Sequence, residues 1–322
     1  VLSQLLAKDG KLQLALIIPM GVMAIGFPLS TIITYFSQKK KYNQAVQERE
    51  AAYRAALESE RKRIHGLMQE QRTTMQREYP SVEECTRIAI NHTKRLWWRR
   101  PMDDDYLSLR VGTGAGKTSF DVKPPRINDV NDPLSLLGIT MAEEFKQNPD
   151  LPLLLNLRET GSVAIASKTT TAACEVARRL LLELMVHHSP QDVNIALLTD
   201  LPNADVRWGW LKWLPHTGAI NSENKPRRLN YTEEQIDTYL KWLTDEYTSR
   251  SRQDSNLGST TNRKGNRVSI VVLFDDSGSA RQSPEVARIA ESGHEVGIHL
   301  IFVGGKNWPR ECRSRIDVTG DH

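Results

Sequence analysis

Two stretches of the 322-residue chain hold residue types that could do phosphate chemistry. The first is Ser167-Lys168-Thr169-Thr170, a short polar run between a β-branched stretch (residues 162–166) and an amphipathic helix with Val176, Leu180, Leu181 and Leu184 at helical spacing. Strand, polar loop and helix in that order frame a loop that wraps phosphates, where glycines let backbone amides close on the anion and a lysine reaches the terminal phosphate. Here the frame is present and the cradle is not. No glycine lies between Gly161 and the helix, and Lys168 comes before the threonines, too early in the loop. The second stretch is Asp275-Asp276, which closes the apolar run 268–274. Paired acids at the end of a buried strand can arrange Mg²⁺ and polarise water, or they can cap the loop that follows. Ser167, Lys168, Thr169, Thr170, Asp275 and Asp276 therefore form the candidate site, a nucleotide position without tight ATP binding.

A third stretch imitates that chemistry. Residues 112–118 read GTGAGKT, but G-x-x-x-x-G-K-T counted back from Gly116 requires glycine at 111, where the chain has Val111. Residues 119–123 alternate like a strand and Pro124-Pro125 follow, where a phosphate loop must open a helix. The stretch is expected in a β-hairpin region, residues 96–125. Asp103, Asp104 and Asp105 could bind a divalent cation, yet no further ligand stands at a fixed spacing, so a solvated turn is the expectation. His187 and His188 are adjacent and do not share a helical face, which suits a helix C-terminus better than a metal. Cys85, Cys174 and Cys312 are odd in number and lack C-x-x-C spacing, so neither a disulfide framework nor a zinc site is expected, and a reducing compartment fits. A net charge of +4 is too small for a phosphate-tracking surface, and no nucleic acid partner is expected.

These residues need elements to position them. Residues 12–36 carry no charge, and about 20 such residues cross a bilayer core. Lys39, Lys40 and Lys41 follow, which puts the bulk of the chain on the cytoplasmic side of the cell membrane and residues 1–11 outside it. A buried core helix is the alternative. Residues 37–80 read as a stalk helix that would reach roughly 50 Å from the membrane. Its apolar positions are too sparse for a heptad seam, so a solvated spacer is favoured over a coiled coil. Tyr79-Pro80 ends it, and 81-SVEE-84 opens a helix expected to reach Leu96. From there strands and helices alternate. Strands are expected at 106–111, 153–157, 163–166, 193–198, 268–274 and 297–303, with helices at 231–247 and 284–292 and a loop at 250–266. In 208-WGWLKWLPH-216, Trp210, Trp213 and Leu214 share a helical face and are expected in the core, whereas Trp208 is the conceivable partner surface. The fold class is α/β, P-loop NTPase-like, a mostly parallel sheet flanked by helices and preceded by a transmembrane and a stalk helix.

The apolar span followed by SQKKKY, then LWWRRPMDDDYLSLRVGTG, WGWLKWLPH, VVLFDDSG, and GIHLIFVGG with PRECRSRIDVTG behind it, resembles the membrane-anchored FtsK/SpoIIIE-type ATPases of type VII (ESX) secretion, the EccC/EssC family. The resemblance covers nearly the whole chain. It implies a second membrane helix at 12–36, a stalk, and over 81–322 the first, degenerate ATPase-like domain. It also implies further ATPase domains outside this chain, which bind ATP and Mg²⁺ and recognise small helical secreted substrates, so no cofactor is expected in this portion. Implied partners are other membrane subunits of the secretion complex and further copies of the chain in a ring. The expected function is anchoring and coupling through a pseudo-ATPase domain. The alternatives are an FtsK-like DNA translocase motor and a non-motor membrane sensor binding a small ligand.

Overall fold

The computed structural model describes the backbone of residues 2–125, 132–218, 226–256, 267–276, 278–304 and 308–319, with side chains from residue 28 onward except 255, 256 and 279. The chain forms two compact units, Val1–Gln69 with Thr118–Lys146, and Glu70–Lys117 with Gln147–His322.

The first unit is built on α1 (Leu2–Glu78), a helix uninterrupted over 77 residues. Exposed pairs one turn apart, Glu50–Arg54 at 2.6 Å and Glu60–Arg63 at 2.8 Å, support its polar length. The expected solvated spacer proves to be partnered. Leu57, Ile64 and Met68 pack against Phe120, Val122, Met141 and Phe145, the last two on or just after α3 (Pro133–Glu144). That helix had no counterpart among the expected elements. It starts cleanly, with Asp132 accepting from Leu134 N at 3.2 Å and Pro133 in the first turn, where a missing N–H costs nothing. Gly138 allows the close fit, since a Cβ there would lie 2.8 Å from the Tyr53 hydroxyl and 2.7 Å from Pro125. Among the described residues no helix is long and apolar enough to cross a membrane. Side chains 12–27 of the expected span lie outside the described residues. Its described end exposes Leu29, Ile32, Ile33, Tyr35 and Phe36, with Lys39 placed over the Tyr35 ring.

The second unit contains a six-stranded parallel sheet in the order β5-β4-β6-β7-β3-β8, from β3 (Ser162–Ser167), β4 (Val193–Leu198), β5 (Leu229–Asn230), β6 (Ser269–Asp275), β7 (Ile298–Val303) and β8 (Ser314–Val318). The central strands are apolar on both faces because both are covered. Val163, Ile165, Val271, Leu273, Ile301 and Val303 face the layer of α5 (Thr170–His187). Ala164, Val272, Phe274, Leu300 and Phe302 face α7 (Glu233–Asn256) and α8 (Pro284–Ser292). Parallel sheet and two helical layers make this a three-layer α/β fold.

Outside that sheet, β1 (Ser108–Lys117) and β2 (Gln147–Asn156) form an antiparallel ribbon. The expected strand at 119–123 is irregular backbone, and β2, which begins well before residue 153, takes its place as the partner of β1. Pro149 and Pro152 hide β2 from a pattern reading, since proline cannot donate to a ladder; Pro149 falls within a register shift of the ribbon, while Pro152 sits opposite Thr113. α2 (Val82–Ile90) stops short of Leu96. α7 continues to Asn256, so the first part of the expected loop 250–266 is helical; residues 257–266 lie outside the described residues.

Candidate functional site

β3 ends at Ser167 and α5 begins at Thr170, so only Lys168 and Thr169 link strand to helix. The Ser167 hydroxyl accepts from Thr169 N at 3.2 Å, which folds the loop onto itself. A phosphate cradle needs several successive amides turned toward one point, and two residues are too few to surround an anion. Lys168, Thr169 and Thr170 are exposed and Ser167 is half-buried. Thr169 stands at the N-cap without a side-chain cap bond.

The acidic pair lies at the same carboxyl edge of the sheet, separated from β3 by β7. Its two members behave differently. Asp276 is exposed, in a left-handed conformation with φ 47°. Asp275 is fully buried, and its Oδ2 accepts from Trp208 Nε1 at 2.6 Å and Arg207 Nη1 at 2.9 Å. Both donors sit on α6 (Ala204–Trp208), the short helix that follows β4. Arg178 of α5 closes the back of this group, with its guanidinium over the Trp208 ring and one N–H donated to Arg207 O at 3.2 Å. Burial pushes the neighbouring Cys174 thiol up to about 11, so it stays protonated. Arg281, also buried, donates to Phe274 O, Val303 O and Gly304 O at 2.6–3.0 Å and ties the ends of β6 and β7 together.

Asp275 Oδ2 is taken by a guanidinium and an indole, the β3–α5 link has only two residues, and among the described residues no group of three His, Cys, Asp or Glu is placed to hold a metal. The acidic turn serves structure. Asp105 pairs with the buried Arg99 at 2.8 Å and Asp103 accepts from Arg100 N at 2.7 Å.

Sequence reasoning missed Arg207, Trp208, Arg281 and Arg99. WGWLKW carried a signal for one of them: Trp210 and Leu214 pack against the core as expected, but Trp208 is fully buried and Trp213 is 80% exposed, the reverse of their assignment. The segment is one helical turn followed by a 3₁₀ turn, Gly209–Trp213, so an α-helical face does not apply to it. His187 and His188 are corrected too. Burial lowers them to about 2 and about 3, so neither brings a charge to the helix end. His188 acts as a neutral bridge, its Nδ1 donating to Leu184 O and its Nε2 accepting from Leu107 N at 3.0 Å.

No protein-family model matches the chain. The type VII secretion system protein EssC of Staphylococcus aureus is 28% identical over 319 residues, covering 94% of this chain and 21% of that protein. The chain is a homologue of the EssC and EccC proteins. The ESX secretion system protein EccC of Geobacillus thermodenitrificans is 24% identical over 298 residues, 89% of this chain and 20% of the relative. This EssC/EccC homologue thus spans about a fifth of the length of the curated relatives it matches. Among solved structures, the cytoplasmic domain of the Thermomonospora curvata type VII secretion ATPase EccC aligns over 67% of this chain and 24% of its own, at 16% identity and a TM-score of 0.41. The cytoplasmic domain of EssC aligns over 53% and 35%, at 17% identity and a TM-score of 0.42.

Proposed function

We propose that this chain is the membrane-anchored coupling portion of a type VII secretion ATPase, and that its α/β unit is a pseudo-ATPase. The observation that carries the reading is the engagement of Asp275 Oδ2 by Arg207 and Trp208, which gives the acid at the end of β6 an internal cation in place of Mg²⁺. The two-residue link between β3 and α5 supports it from the phosphate side. Ser167, Lys168, Thr169, Thr170, Asp275 and Asp276 are then remnants of a nucleotide site. ATP and Mg²⁺ serve other domains of the secretion ATPase.

Anchoring is proposed from the uncharged run 12–36, the exposed aromatics Tyr35 and Phe36 beyond its middle, and Lys39, Lys40 and Lys41 on the cytoplasmic side. On this reading the chain meets other membrane subunits and further copies of itself, and small helical substrates meet domains elsewhere in the machine. α1 carries the link from membrane to sheet.

The test is turnover and ligand stabilisation of the intact chain in detergent. Negligible ATP hydrolysis is expected, with no rise in Tm in saturating MgATP, where a ligand at 100 times its Kd would stabilise by about 2.7 kcal/mol. Hydrolysis that disappears in Lys168→Ala or Asp275→Asn would overturn the pseudo-ATPase reading.

A further inference from the structure

The motif LWWRRPMDDDYLSLRVG has no part in the site above, yet two of its arginines, Arg99 and Arg110, and Arg95 just before it converge on one target. The last carbonyls of α1 and the residue after it accept from guanidinium groups: Arg77 O from Arg95, Glu78 O from Arg99 Nη2 at 2.9 Å, and Tyr79 O from Arg110 Nη1 at 3.0 Å. A helix leaves its final carbonyls without intrahelical partners, and cations at that end also suit its dipole. Arg99 is itself held by Ser108 O at 2.7 Å and Asp105, and lies over the Tyr79 ring. Arg110 is held from behind: its backbone N–H donates to Glu183 Oε2 at 2.6 Å, and its guanidinium also reaches Thr113 Oγ1. These residues all lie in the second unit.

Glu183 is the odd member of this clamp. It projects from near the C-terminal end of α5 and is 2% exposed, and its one described bond is that backbone amide; the Arg110 guanidinium turns away from it toward Tyr79. A carboxylate so placed must bury its charge to ionise, and it regains water if the clamp opens. A cleft of about 150 Å³ lined by Ser81, Glu83, Arg110, Thr113, Arg179 and Glu183 supplies the route.

We propose that Glu183 makes the arginine clamp on the end of α1 responsive to pH, holding it closed in mild acid and loosening it in mild alkali.

The groups facing Glu183 come from four directions. β1 contributes Arg110 and Thr113, α2 contributes Glu83 and Cys85, the 96–107 segment contributes Arg99, and α5 contributes Arg179 and His187. Burial lifts the Cys85 thiol to about 12 and lowers His187 to about 2. Burial raises Glu183 to about 7, against the pull of the Arg110 amide. The sign follows from linkage. A carboxyl with a higher pKa in the closed state favours closure below its open-state value, and that preference is lost as pH rises through about 7.

Hydrogen exchange of the intact chain, corrected for the intrinsic rate, reads the clamp at the amides of the last turn of α1 and the residue after it, residues 75–79. Between pH 6 and pH 8 their protection is expected to fall on the order of tenfold in the wild type and to stay level in Glu183→Gln, with β6 and β7 unchanged. Arg110→Gln is expected to open the turn already at pH 6. An equal fall in Glu183→Gln overturns the proposal, as does a level wild type. Should Glu183→Gln fail to fold, NMR titration of the wild-type Glu183 carboxyl decides: a midpoint near 7 supports the proposal and one in the ordinary glutamate range overturns it. The readout needs neither nucleotide nor secretion partners, so it can fail while the pseudo-ATPase reading stands. Its consequence, a pH-dependent link between stalk and sheet, rests on the coupling role.

Discussion

Residues 112–118 and residues 167–170 occupy two different mechanical settings. The first lie at the end of β1 in an antiparallel ribbon, with leucines of β2 laid across their glycines. The second join a buried parallel strand to an 18-residue helix at the carboxyl edge of the main sheet, the position where open α/β sheets hold ligands. GTGAGKT has the look of a phosphate loop, one residue short in spacing, in a place where its amides bond to a neighbouring strand. SKTT has the place without the letters. Binding a phosphate needs both at once, because the anion is held by converging amides at a helix start. The glycines of β1 serve packing instead: a Cβ on Gly116 would come within 3.1 Å of Leu151, and one on Gly114 within 3.0 Å of Leu153.

The contrast breaks most visibly at Asp275. If the acid is an internal anchor for α6, Asp275→Ala strands the Trp208 indole N–H and the Arg207 guanidinium, and should destabilise the chain by about 3 kcal/mol in chemical denaturation, the low end for a broken buried pair because Arg207 is 32% exposed. A change within experimental error would mean the acid is free for another role. Next in size is the ribbon. Gly116→Ala presses on Leu151, which is buried and has nowhere to go, and about 1 kcal/mol is expected to be lost, whereas Gly112→Ala meets nothing within 4 Å and should cost under about 0.5 kcal/mol. Equal effects at both positions would refute the packing account of these glycines. The smallest effect is expected at Lys168→Ala, an exposed loop residue, with a change within about 0.5 kcal/mol and no altered response to MgATP by thermal shift.

Much of the scaffold was legible. β6 and β7 announce themselves as mainly apolar runs, and α8 begins at the expected Pro284, with the Ser283 hydroxyl accepting from Val286 N at 3.2 Å. β2 was only partly legible because its prolines argue against a strand until the bulged partner is seen. α3 was missed although Asp132 and Pro133 mark its start, because Leu134, Leu136 and Leu137 crowd its first turn without a clear apolar face, and the face that packs is chosen by α1. The candidate site was legible as positions and illegible as chemistry. SKTT and DD were found in the chain, but the cation that occupies Asp275 comes from 68 residues away.

Local patterns alone determined that this protein has an alternating α/β core, a long polar helix before it, and a strand-loop-helix with no phosphate cradle, because each of those follows from the spacing of side chains along one segment. Only the tertiary structure decided which tryptophan is buried, which arginine neutralises Asp275, and that Arg95, Arg99 and Arg110 grip the end of α1. Those outcomes depend on which segments the sheet brings together, and a guanidinium carries no mark along the chain of the carbonyl or carboxylate it will meet.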